Sequence, residues 1–162
     1  MKRRNATLQI CLAAILLLTG CRLWTPEPGA MRELPEPPKP TIAWNEKTAV
    51  AVPTSSCWSY GSAATCIDTA APPEIIGEKN PPPLQVKPGA VITISYEHPP
   101  VDQSLVLTQW SGSNPITREL PNDGKWTAPE QPGWYLFDVR ARWQQGDAGH
   151  AFVIEVRSSE YL

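Results

Sequence analysis

From Val91 onward, apolar and polar positions alternate with a period of two, the pattern of strands that bury one face and wet the other. Val91–Tyr96 sets Ile92, Ile94 and Tyr96 on one side and Thr93 and Ser95 on the other. The longest alternation follows Gln131-Pro132-Gly133: Tyr135, Phe137, Val139, Ala141 and Trp143 are predicted to face a core, opposite Trp134, Leu136, Asp138, Arg140 and Arg142. A polar turn over 144–149 leads to Ala151–Val156, with Phe152, Ile154 and Val156 inward. In Ser104–Trp110 the buried face stays open, because Leu105 and Leu107 compete with Val106 and Trp110. Turn residues punctuate these runs at Lys87-Pro88-Gly89, Ser113-Asn114-Pro115 and Asn122-Asp123-Gly124. Ala49–Val52 adds a short strand, and no segment carries a convincing helical period. Short strands at roughly regular spacing predict an all-β fold, an antiparallel β-sandwich, over residues 48–162.

The N-terminus follows a different pattern: Lys2, Arg3 and Arg4, then an apolar run from Ile10 to Leu18 that is too short to span a bilayer as a helix. This is the layout of a secretory signal. Leu18-Thr19-Gly20-Cys21 resembles the lipobox of bacterial lipoproteins, which implies a signal peptide over 1–20, cleavage after Gly20 and a lipid anchor of diacylglycerol and palmitate type on Cys21. The competing interpretation, an ordinary secretory signal with a chance cysteine, leaves an odd thiol in the mature chain. With lipidation every cysteine has a fate. Cys11 leaves with the peptide, Cys21 carries lipid, and Cys57 and Cys66 remain as an even pair in an oxidising compartment, where a disulfide is the default.

Composition then changes the picture between Cys21 and Lys47. Pro26, Pro28, Pro35, Pro37, Pro38 and Pro40 alternate with Glu27, Glu33 and Glu36, so residues 21–47 are expected to form an extended tether reaching roughly 60 to 80 Å. A ligand for a proline-recognising domain, through Pro35-Glu36-Pro37-Pro38, is the alternative to a spacer. Fourteen Lys and Arg stand against sixteen Asp and Glu. Loss of the three N-terminal basic residues leaves a mature net charge near −5. Such a chain offers no basic cluster to a phosphate backbone, and nucleic acid is not an expected partner.

Pro132-Gly133-Trp134-Tyr135-Leu136-Phe137 resembles the turn into the penultimate strand of immunoglobulin-like and fibronectin-type domains. In those folds a tyrosine just inside the strand closes the corner with its hydroxyl, two residues before a buried core position; Tyr135 and Phe137 match. The intersheet disulfide of antibody domains has no counterpart, so the resemblance implies the looser immunoglobulin-like class over about Leu84 to Arg157. Cys57 to Cys66 reads as a loop closed by a disulfide, similar to a loop in uncharacterised lipoproteins of spore-forming Gram-positive bacteria, a resemblance that carries no activity. Eight intervening residues suit a structural staple and not a redox pair, which places two residues between its cysteines at a helix start.

Trp58 and Tyr60 stand inside that loop among Ser59, Gly61, Ser62, Ala63 and Ala64, which are too small to shield two rings. Either the rings fold back onto the sandwich, or with Trp134 they form a face that binds an envelope protein or glycan. His98 and His150 are the only histidines. With Glu97, Asp102 and Asp147 they could meet at one end of a sandwich and hold a metal or act as acid and base, but their spacing fits no metal-site motif. No phosphate cradle, nucleophile elbow or zinc-protease motif is present. The expectation is therefore a lipid-anchored, extracytoplasmic binding module held at the membrane through Cys21, on the outer face of the cell membrane or in an outer membrane. It is not an enzyme and needs no cofactor; the alternative is a small metal-binding protein or metal-dependent enzyme using His98 and His150.

Overall fold

A computed structural model describes residues 34–112 and 114–158. The expected signal, Cys21 and the tether up to Glu33 lie outside these residues. Within them the alternation closes into two sheets. The smaller has the order β2-β1-β6-β9, formed by β1 (Pro40–Trp44), β2 (Lys47–Thr48), β6 (Val91–Tyr96) and β9 (Lys125–Thr127). The larger runs β4-β3-β11-β10-β7-β8, from β3 (Val52–Tyr60), β4 (Ala63–Ile67), β7 (Val106–Trp110), β8 (Ile116–Glu119), β10 (Gly133–Trp143) and β11 (Gly146–Val156). All pairings are antiparallel except that of β5 (Leu84–Val86), which runs parallel to the last three residues of β11.

The two sheets meet over a core that follows the period-two reading. Ile42, Ile92, Ile94 and Trp126 from the small sheet face Leu107, Phe137, Val139, Phe152, Ile154 and Val156 from the large one. Phe137 stacks on Phe152 at 5.6 Å between ring centroids, and Trp126 tilts against Phe137 at 4.7 Å. Leu105 and Leu107 are buried, which decides the face that the sequence left open in this strand. Tyr135 donates its hydroxyl proton to the Gln131 carbonyl at 2.9 Å and closes the corner before β10.

Two segments depart from the sequence reading. Pro40–Trp44 and Lys47 fall in the stretch assigned to the tether, yet they belong to strands, and Ile42 is fully buried. The proline density masked them: Pro40 only opens β1, where a missing donor is tolerated, and the next residues pair in register with Thr93–Ser95. The second is a helix, α1 (Pro72–Lys79), where none was expected. Pro72 and Pro73 sit in its first turn, Glu74 favours the positive N-terminal end, and Asn80 closes it in the left-handed conformation with its amide on the Ile76 carbonyl at 2.8 Å. Two prolines and Gly77 in eight residues hid the pattern. The helix buries Ile75 and packs beside β3, β10 and β11.

A groove between the N-terminal segment and the stapled hairpin

The expected strand at Ala49–Val52 instead starts at Val52 and runs through Tyr60, so the stapled loop is a ladder with a two-residue turn. Cys57 lies directly opposite Cys66, bridged, with their Cα atoms 4.0 Å apart. Gly61 takes a positive φ in the turn, as a tight hairpin requires. At the base of the hairpin Gly146 is equally constrained, with φ near +154° and space for a Cβ only 1.9 Å from the Cys57 carbonyl oxygen. That close approach lets the start of β11 seat against β3.

Register places Ser56, Trp58 and Tyr60 on the same face as Ala63, Thr65 and Ile67. It is the inner face of the large sheet, shared with Ala148 and His150, but residues 35–39 lie across it here. A groove of about 490 Å³ opens between that proline-rich segment and the hairpin. Trp58 pins the segment in place. Its indole nitrogen donates to the Leu34 carbonyl at 2.9 Å, and its ring meets Trp143 edge-on at 5.6 Å.

The two rings of the loop therefore take different roles. Trp58, only 6% exposed, lines the groove but belongs mainly to the packing, whereas Tyr60 is 50% exposed on the groove. Trp134, at 63%, is more exposed still, but it does not extend this surface. It sits at the start of β10 opposite Glu155, on the outer face, nine residues or about 30 Å along the ladder from the Trp143 end that carries Trp58.

The five residues considered for a metal or an acid-base pair are not gathered into one cluster. The loop after β6 does reach the end of β10, since Trp143 Nε1 donates to the His98 carbonyl at 2.9 Å and the Val101 amide to that of Arg142 at 2.8 Å. His150 lies elsewhere, on the inner face opposite Val139, 3% exposed, with Nδ1 buried and without a partner among the described residues. Burial, reinforced by the Lys39 charge, pushes its imidazole down to about 4, so it is neutral near pH 7. Asp147 belongs to the opposite face, paired with Arg140, whose guanidinium also donates to the Ser55 carbonyl at 3.1 Å. Among the described residues no three His, Cys, Asp or Glu side chains are placed to hold a metal ion.

Sequence reasoning missed a polar cluster on that outer face. Thr54 donates to Asp138 at 3.0 Å above Gly149, where a Cβ would stand 2.2 Å from the Thr54 hydroxyl. Burial raises the Asp138 carboxyl, against the Thr54 hydrogen bond and the Arg140 charge, which lower it. Only the outward alternation of Asp138 and Arg140 hinted at it; the register of β3, which supplies Thr54 beside an irregularity between Ala148 and His150, has no local signature. The disulfide is the one feature here that speaks to cellular place, pointing to an oxidising, extracytoplasmic compartment. Comparison of the chain with protein-family models, with curated proteins and with solved structures returned no match.

Proposed function

We propose that this protein is a lipid-anchored, non-enzymatic binding module of the cell envelope, built on an immunoglobulin-like sandwich, that holds an extended segment of an envelope protein in the groove beside Tyr60. The observation that carries the proposal is the groove itself. One wall is the proline-rich segment and the other is the face of the stapled hairpin that carries the exposed Tyr60. Rigid walls and an aromatic side chain with few rotatable bonds give contact area at low entropic cost. A glycan is less favoured, because the Trp58 ring that would stack on a sugar is committed to Trp143.

Two further observations support the finer fold assignment. Strands β7, β10 and β11 neighbour one another in the order of the three-stranded sheet of immunoglobulin-like domains, opposite the β6–β9 pair, and the Tyr135 hydroxyl makes the corner bond typical of that class. Lipidation rests on Leu18-Thr19-Gly20-Cys21 and agrees with the oxidising compartment implied by the disulfide.

A photo-crosslinking residue placed at position 60 in intact cells tests the binding site. Discrete protein adducts are expected. The Tyr60→Ala protein should melt as the unmodified one does while capturing less of the same partner. Adducts to polysaccharide, or none above those from an equivalent probe at Trp134, would overturn the proposal.

A further inference from the structure

Sheet edges present unpaired backbone groups, and proteins blunt them with charge, proline or shortness. Among the described strands the other free edges follow this rule. Strand β2 has two residues including Lys47, β9 has three including Lys125, β5 has three, and β8 carries Arg118 and Glu119. Strand β4 does not. Ala63-Ala64-Thr65-Cys66-Ile67 is five residues long, uncharged and free of proline, and every one of its side chains is exposed.

A strand that buries nothing has little to hold it, yet this one is bridged to its neighbour through Cys66. The short Cα separation of Cys57 and Cys66 marks a non-hydrogen-bonded pair. The Ser59 amide, two residues on, likewise turns away from β4 to the Gln145 carbonyl at 2.9 Å. The N–H and C=O groups of Ala64 and Cys66, opposite Ser59 and Cys57, therefore point outward in a fixed row.

We infer that this edge pairs with β4 of a second copy of the chain, antiparallel about a two-fold axis at Thr65. In that register Ala64 of each copy lies opposite Cys66 of the other, and both residues have their backbone groups turned outward, so each pair exchanges two hydrogen bonds. Thr65 meets Thr65, a favourable cross-strand pair, and Ile67, which is exposed in the single chain, packs against Ala63. No charge opposes a like charge. A five-residue seam falls short of the area of a stable soluble interface, about 1,000 Å². The association is accordingly weak in free solution and favoured where copies are concentrated on one surface. Its backbone hydrogen bonds run along the free edge of β4, while the side chains of Ala63, Thr65 and Ile67 also line the groove.

Non-hydrogen-bonded partners stand about 4.5 Å apart at Cα, within disulfide reach, so Thr65→Cys provides the test. The full-length chain, oxidised mildly in its native membranes, is expected to form a covalent dimer through residue 65. Peptide mapping should show Cys57–Cys66 intact, which also reports folding. Thr117→Cys on the charged β8 edge should link far less. A Thr65→Cys protein that keeps its native disulfide but links no faster than Thr117→Cys would overturn the pairing, as would adducts from residue 65 to a different protein. Independently, Ala64→Pro, on the face away from the groove, removes an outward amide from each of the two Ala64–Cys66 pairs and should weaken the concentration-dependent dimer of the detergent-extracted protein roughly tenfold or more. A wild-type chain that stays monomeric at its highest attainable concentration sinks the inference. Loss of dimer with capture at position 60 retained would leave the groove proposal standing, and the reverse result would remove the groove alone.

Discussion

At the scale of single residues, His150 has the most measurable consequence. Its imidazole is held neutral in the fold and titrates near 4, against 6.5 for the free side chain. As pH falls through 6.5 the unfolded chain takes up a proton that the folded one refuses, so stability declines between about 6.5 and 4. Asp138 acts with the opposite sign, because its raised carboxyl lets the folded state bind a proton first. His150→Leu should therefore flatten the acid limb of a plot of unfolding free energy against pH, measured by denaturant titration across that window. An unchanged slope would show that the imidazole is not held neutral. The period-two pattern reached this level in part. It put Phe137, Phe152 and Ile154 in the core, since each lies in a long alternating run, but it could not separate Trp58 from Tyr60. They share a face, and only the residue-34 carbonyl and Trp143, both remote in sequence, decide which ring is covered.

At the scale of elements, the long hairpin of β10 and β11 was legible over Gly133–Trp143 and Ala151–Val156, where the alternation is sustained, whereas Gly146–His150, read as part of a polar turn over 144–149, is strand paired with Val139–Trp143. Short elements were not legible. Strand β1 has one buried side chain, Ile42, inside a proline-rich stretch, and α1 has one, Ile75, too few for either period to stand out. The stapled hairpin lies between these cases, because the cysteine spacing predicted its closure while its extension of the large sheet depends on pairing with β11. Closing such a loop restricts the unfolded chain by about 2–3 kcal/mol on chain-entropy grounds. Since β4 buries no side chain, reduction also frees it in the folded state, and part of that figure is returned. Replacing both Cys57 and Cys66 with serine should cost less than the full figure in global stability. Amide hydrogen exchange at Thr65 should accelerate strongly, and that at Phe137 and Phe152 little. Equal acceleration at all three sites would mean that the staple supports the whole sandwich.

For the whole molecule, the sandwich is a platform and the sequence N-terminal to it supplies both the proposed attachment and one wall of the proposed site. The attachment is tested by Cys21→Ser, which should move the protein from the membrane fraction to the soluble extracytoplasmic fraction and abolish incorporation of labelled fatty acid. Continued labelling would refute the lipobox reading. Neither the groove nor the free edge could be read from the chain, because each is made by what fails to cover a surface, and absence of a partner has no period.

The contact between Trp58 and Leu34 gives the groove a mechanical character. Among the described residues, the segment that forms its wall precedes the β1–β6 ladder. Tension arriving along the chain from the N-terminal side would strain the indole hydrogen bond and the packing of Leu34 against the core before it loaded any strand pair. The groove would widen while the sandwich stayed folded, and grip on the proposed partner would fall as that tension rose.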